Sequence, residues 1–463
     1  MTRPLLTFAL ALVAALSASA QPVLAPVAAD SSEIATELVT APVSTDSLTL
    51  AGALALALDA SPDLAALAFE TRARQALVSQ ADRRLNPSLR LDTENLLAPS
   101  GSGADGLDGT ANAPQTTLEI VVPLEPGRRA ARVRLAEAER DLLPAAERRV
   151  RLDVAARVAG RFAVALAAQE RVRLAAEVAS LAGEGSSTAR QQVAIGDRSP
   201  IEETRAEVAF AVAWAEVARA EREAEGARRA LAALWGATTD PPEALAGALM
   251  PVPLPPFASL VDDLDGAPEL LRFAAEAARR DAVVGVERAA YRLTPTVSAG
   301  IRRYHAPGDD GGGFGIVAGV GLPLPVFTRN SDAAQAAVER RAALDPERDA
   351  VRDSLVSVLA LAYGRLAAAH DEVAILSGTA VPGALDAASK VAEGYGLGRF
   401  GILDVLDAQR ASAQARGLLL DALAEAARAA ADVERLTGRP LPPASPEVPR
   451  LPVPDSAVPT TDQ

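Results

Sequence analysis

Cysteine is absent from this 463-residue chain, histidine and methionine occur twice each, and aromatic residues make up only 3%. Without thiols there is no disulfide framework, no thiolate metal site and no thiol nucleophile. The two histidines, His305 near an expected loop tip and His370 on an expected helix, have no nucleophile at a useful spacing, so the material for a catalytic constellation is missing. With so few His and Met, a dedicated soft-metal site lacks ligands, and no residue pattern asks for a cofactor. Gly311-Gly312-Gly313 lacks the Lys and helix that follow a phosphate loop and reads as a hairpin connection, and Asp309-Asp310 reads as a solvated acidic turn. Lysine occurs once, at Lys390, and 46 basic residues face 60 acidic ones, a net charge of -14 with no clustered basic face. That argues against nucleic acid as a partner. What remains is a composition 49% apolar, carried mostly by Ala, Leu and Val, which favours long, closely packed helices.

Residues 1–20 hold Arg3, an apolar run from Leu5 to Leu16 and then Ala18-Ser19-Ala20, the small-x-small pattern of a signal-peptidase site. The chain is expected to be exported, and losing Arg3 with this segment leaves 45 basic against 60 acidic residues, net -15. Two later uncharged stretches, Ala244 to Val261 and Gly311 to Thr328, are rich in proline and in glycine respectively, and neither can be a spanning helix. An exported chain without such a helix is either soluble or crosses an outer membrane as a β-barrel.

The chain repeats itself at an offset a little over 200 residues. Ser61-Pro62-Asp63-Leu64 recurs as Ala267-Pro268-Glu269-Leu270, Asn86-Pro87 as Thr294-Pro295, Pro123-Leu124 as Pro323-Leu324, and Gly196 and Gly236 as Gly398 and Gly438. Each copy reads helix, strand, strand, long helix, break, helix. Helical pattern runs from about Leu50 to Arg84, Gly127 to Val193 and Pro200 to Trp235, then from Ala267 to Tyr291, Ser331 to Val391 and Ile402 to Leu436. In the first long helix Val154, Val158, Phe162 and Leu166 form a stripe that Leu174, Val178 and Leu181 continue. At 1.5 Å per residue that helix would be roughly 100 Å long, which suggests a tube or rod.

The domain organisation expected is a signal peptide (1–20), a flexible segment (21–45), a first repeat (46–238), a proline-rich linker (239–257), a second repeat (258–439) and a proline-rich tail (440–463), with linker and tail extended and facing solvent. Strands are expected at about 88–96, 115–124, 296–304 and 313–322. Each alternates with period two and has about the length that crosses a bilayer at a tilt, and the connections are polar and glycine-rich. Four strands cannot close a barrel and open edges are not tolerated in lipid, so strands that span require oligomerisation. Three copies would supply twelve.

Several passages resemble the TolC-like outer-membrane efflux protein family, in its cation-efflux, CzcC-like branch: Leu48-Thr49-Leu50 with Ser61-Pro62, Asn86-Pro87, Pro123-Leu124-Glu125-Pro126-Gly127-Arg128-Arg129, and Tyr395-Gly396-Leu397-Gly398 continuing into Asp404-Val405-Leu406-Asp407-Ala408. The resemblance covers roughly Leu48 to Gly438. It implies a mainly α chain with a small β part, a homotrimer whose α-helical tunnel in the periplasm continues into a shared twelve-stranded barrel in outer-membrane lipid. Its implied partners are a periplasmic adaptor (membrane fusion) protein and an inner-membrane pump of the resistance-nodulation-division type, and its implied activity is passive conduction of cargo, metal cations first. Drugs or secreted peptides are the alternative cargo, and a soluble periplasmic coiled-coil or adaptor protein the alternative class.

Asp404 and Asp407 lie three apart and so share a helix face; the resemblance places them at the acidic periplasmic entrance. Tyr395 resembles the family tyrosine that holds this entrance closed. The arginine that accompanies it sits one place earlier here, at Arg399, with Phe400 in its usual position. The turns Pro200-Ile201-Glu202 and Gly401-Ile402-Leu403 are expected to form the tips where the adaptor docks.

Overall fold

Caps and prolines decide where the helices start and stop. The computed structural model describes residues 47–95, 114–237, 241–304 and 313–441; the signal segment 1–20, the segment 21–45, most of the 440–463 tail and the loop holding His305, Asp309 and Asp310 lie outside the described residues. The hydroxyl of Thr49 accepts a hydrogen bond from Gly52 N to open α1 (Leu50–Asp59), and that of Ser61 accepts from Leu64 N to open α2 (Pro62–Ala81). Pro62 stands in the first turn of α2, where an N–H has no intrahelical partner to lose. The two helices meet at a 41° bend, so the helix expected from Leu50 to Arg84 is in fact two.

After β1 (Ser88–Glu94) and β2 (Gln115–Pro123), the stretch expected as one helix from Gly127 to Val193 divides into α3 (Arg128–Arg140) and α4 (Leu143–Ala194). Pro144 has no N–H to give the carbonyl of Arg140, so the ladder stops there. The 52 residues of α4 make it about 78 Å long. Next come α5 (Pro200–Ala232), running into a short 3-10 turn, then α6 (Phe257–Asp263) and α7 (Pro268–Ala290). Beyond β3 (Thr296–Tyr304) and β4 (Phe314–Gly321) lie α8 (Ser331–Ala342) and α9 (Leu344–Ile375). Pro346 divides this second pair as Pro144 divides the first. A π turn at Leu376–Ala380 leads into α10 (Val381–Gly396), and α11 (Ile402–Thr437) ends the second copy. Among the described residues no single helix is long and apolar enough to cross a membrane.

The helices pack through small side chains. Ala53 and Ala57 of α1 meet Val158, Phe162 and Leu166 of α4 and Leu231 of α5 in one core; Phe273 of α7, Leu359 and Leu366 of α9 and Val433 of α11 make another. Along α4 the stripe holds from Val154 to Leu166 and then departs from expectation, since Leu181 is exposed and Ala179, Ala182, Ser186 and Ala189 are buried. Residues four apart advance 40° around a 3.6-residue helix at each step, so a stripe of fours turns away from its partner, while the 3-4 spacing of the alanines stays on it. Among the described residues three guanidinium ties join α11 to α4 across the repeats: Arg416 grips Glu177 with two bonds of 2.8 Å, Arg171 pairs with Asp421, and Arg435 donates to Asp153 at 3.5 Å.

The linker is not solvent-facing throughout, as expected, but is drawn into the core at several points. Leu245 is 4% exposed; it bridges Leu48 in parallel, and the Gln169 side chain both donates to its carbonyl and accepts from its N–H. Val252 and Leu254 pack against the cluster around Leu359. Prolines keep this backbone extended, but apolar side chains between them still find a core.

The two hairpins join. β2 pairs with β3, so the strands form one antiparallel sheet in the order β1-β2-β3-β4, with β1 and β4 as its edges.

Candidate functional site

Two places carry the chemistry, the tip where α4–α5 and α10–α11 turn back on themselves and the sheet at the other end. At the tip, Gly196 and Gly398 take the left-handed conformation (φ +78° and +69°) that closes each turn. Ser199 caps α5, and at the N-terminus of α11 the Asp404 carboxylate accepts the Gly401 N–H at 2.9 Å. Asp407 stands one turn on, exposed like Asp404, with Arg410 donating to it at 3.4 Å.

Tyr395 is buried between the two turns, against Ala189, Ala206, Ile402 and Val405. Its hydroxyl donates to Gln192 Oε1 at 3.0 Å, and the Arg198 guanidinium lies 5.1 Å from the ring centroid. Burial pushes the phenol above its usual pKa, with the Arg198 charge pulling the other way. Arg198 in turn faces Glu202, 4.0 Å away. Arg399 is exposed and bonds to no side chain among the described residues. The cation at Tyr395 therefore comes from the other repeat, while Phe400, the counterpart of Arg198 in the second copy, lays its ring over Gly394, where a Cβ would collide with it.

Of the expected docking residues, Pro200, Ile201 and Leu403 are exposed, Glu202 and Gly401 are half-buried, and Ile402 is buried under Tyr395. Ile195, at 79% exposed, and Leu397, at 62%, add apolar surface to the same tips.

On the sheet, partner rows alternate in character. Leu89, Ile120, Ala299 and Ala318 form one row and Leu91, Leu118, Ile301 and Ile316 another, all on one face; between them Arg90, Glu119 and Gly300, then Asp92, Thr117 and Arg302, point to the opposite face. Ile316 is 89% and Val320 76% exposed on the apolar face. An uncovered apolar surface crossing four strands is what lipid, and not water, accommodates.

A family described as outer membrane efflux protein matches residues 53–237 and 260–439. The cobalt-zinc-cadmium resistance protein CzcC of Cupriavidus metallidurans is 35% identical over 394 residues, which cover 85% of this chain and 90% of CzcC. The chain belongs to the outer membrane efflux protein family. A second relative of this efflux protein, the nickel-cobalt-cadmium resistance protein NccC of Alcaligenes xylosoxydans, is 32% identical over 63% of this chain and 64% of its own. Among solved structures the fold is similar to CusC (TM-score 0.64, 18% identity, 84% of this chain and 92% of that one) and to the open MtrE channel of Neisseria gonorrhoeae (TM-score 0.62, 21% identity, 84% and 89%). The chain is thus an efflux protein of the outer membrane, with the fold of these channels. Sequence reasoning put forward Tyr395 and the two aspartates, all of which lie at this tip, but did not name Gln192 or Arg198, which meet the tyrosine. The one available signal was the repeat itself, which sets Gly196-Asp197-Arg198 opposite Gly398-Arg399-Phe400.

Proposed function

We propose that the efflux protein is the exit duct of a three-part export system, that three copies close a twelve-stranded barrel, and that metal cations are its cargo. The observation that carries the reading is the sheet: one face apolar and exposed, the other polar, with both edges unpaired. Open edges are costly in lipid, and pairing β4 of one copy with β1 of the next removes them all. The cargo reading is supported by the names of the relatives, cobalt-zinc-cadmium and nickel-cobalt-cadmium resistance proteins.

In this reading residues 1–20 direct export, the repeats 46–238 and 258–439 each supply one hairpin and one helical pair to the wall, and transport is passive, without catalysis or cofactor. An inner-membrane pump of the resistance-nodulation-division type drives cargo through a periplasmic adaptor, which docks on Pro200, Ile201 and Leu403, with Ile402 stiffening the tip from inside. Asp404 and Asp407 of three copies set six carboxylates around the entrance and attract cations, an attraction that each Arg410 reduces.

Single-channel recording of the protein in a planar bilayer tests this. Discrete conductance whose cation preference falls in the Asp404→Asn, Asp407→Asn double variant is expected. Unchanged preference would remove the carboxylates from the entrance, and a folded protein that never conducts would remove the duct.

A further inference from the structure

On the polar face of the sheet, two arginines are held differently. Arg90 faces carboxylates, Glu119 at 3.2 Å and Asp92 at 4.0 Å. Arg302 lies against β2, where its Nε donates to Thr117 Oγ1 at 2.9 Å and its Nη1 to Gln115 Oε1 at 3.2 Å. Both acceptors are neutral, and no carboxylate pairs with Arg302 among the described residues. Its neighbours make room for this pose: its partners across the sheet are Thr117 and Gly315, and the Tyr304 ring covers Gly315 so closely that a Cβ there would lie 3.2 Å from it. Within the described residues the guanidinium is therefore fixed in position without being neutralised. The nearest carboxylate on this face that pairs with no arginine among the described residues, Glu94, stands on β1, two strands away and about 10 Å off.

The geometry points to Arg302 as a charge-selectivity residue of the barrel, three copies of it forming a positive ring in the outer half of the lumen. This rests on the trimeric duct reading above. β3 leaves α7 at Thr296 and reaches its far end at Tyr304, so Arg302 sits near the exit, at the opposite end of the protein from Asp404 and Asp407. Attraction at the entrance and a fixed positive charge near the exit have complementary effects: with Arg302 on the same face, the Asp92 and Glu94 carboxylates hold a cation less tightly where it must leave, and a site that holds cargo weakly passes it on. Small anions are drawn to the same ring.

A closed barrel of twelve tilted strands has a backbone radius of about 12 Å, comparable with the Debye length of about 10 Å at 0.1 M salt. Three fixed charges on that wall are felt at the axis, and removing them should raise the cation-to-anion permeability ratio about fivefold at 0.1 M, more at 0.01 M, and hardly at all at 1 M. Reversal potentials in a salt gradient read this directly for Arg302→Gln. Because the chain has no cysteine, Arg302→Cys can also be charged after insertion, with a cationic or an anionic thiosulfonate reagent, so that one folded channel reports both signs. The cationic reagent should restore wild-type selectivity and the anionic one should carry it beyond that of Arg302→Gln. Channels whose reversal potential ignores the charge at 302 overturn this proposal alone. Wild-type protein that forms no channel overturns the duct reading, and this proposal with it.

Discussion

Changing Tyr395 to phenylalanine deletes one oxygen atom and leaves the packing of the tip in place. The oxygen lost is the donor to Gln192 Oε1, 3.0 Å away, and that bond joins α10 of the second repeat to α4 of the first at the point where both pairs turn. A half-buried neutral hydrogen bond contributes about 1 kcal/mol net, so its loss should move the balance between joined and parted tips about fivefold toward parted. The Arg198 guanidinium over the ring is worth about 0.5–1 kcal/mol and survives in the phenylalanine variant, since the ring stays. Single-channel open probability is the assay, with wild type, Tyr395→Phe, Gln192→Leu and the double variant compared. If the bond acts as a latch, each single variant opens more often and the double variant opens no more than either, because both remove the same interaction. Equal open probability in wild type and Tyr395→Phe, or single effects that simply add, would refute the reasoning.

Leu359 of α9 is 0% exposed at the centre of the cluster holding Leu366, Phe273 and Val433; Leu359→Ala should cost about 2–5 kcal/mol and lower the unfolding midpoint in detergent without altering conductance per open channel. Burial raises the Glu434 carboxyl above its ordinary pKa, against the pull of the Leu441 N–H at 2.8 Å. The folded state then binds a proton the unfolded chain has released, so stability falls as pH rises from the ordinary carboxylate range through the raised value. Glu434→Gln should therefore melt higher than wild type at neutral pH, with the gap closing on acidification, and a gap of constant size between about pH 4 and pH 7 would contradict the assignment.

Much of the fold was legible because backbone constraints are local. The four strands were readable from alternation, and Gly196, Gly398, Gly236 and Gly438 marked the repeat because each sits at positive φ, where a side chain is strained. The helix breaks at Pro144 and Pro346 were equally available, written into both copies at one spacing, but the apolar pattern running across them masked the missing N–H. The linker shows the limit of composition: its prolines specify extended backbone and say nothing of whether Leu245 meets Gln169.

At the site, the three-residue spacing of Asp404 and Asp407 gave their shared helix face, whereas their place at the entrance and the choice of Tyr395 came from the family resemblance. The guanidinium over Tyr395 could not be assigned by spacing, because it arrives from Arg198, on a turn nearly two hundred residues earlier. By itself the sequence determined the duplication, the strands and their two faces, and the turns at the tips. Only the tertiary structure decided that the hairpins share one sheet, which side of each alanine-rich helix is buried, and which arginine reaches which partner. A helix with alanine on every side presents no single face by pattern alone, and a long flexible side chain takes its partner from whatever the packing brings within reach.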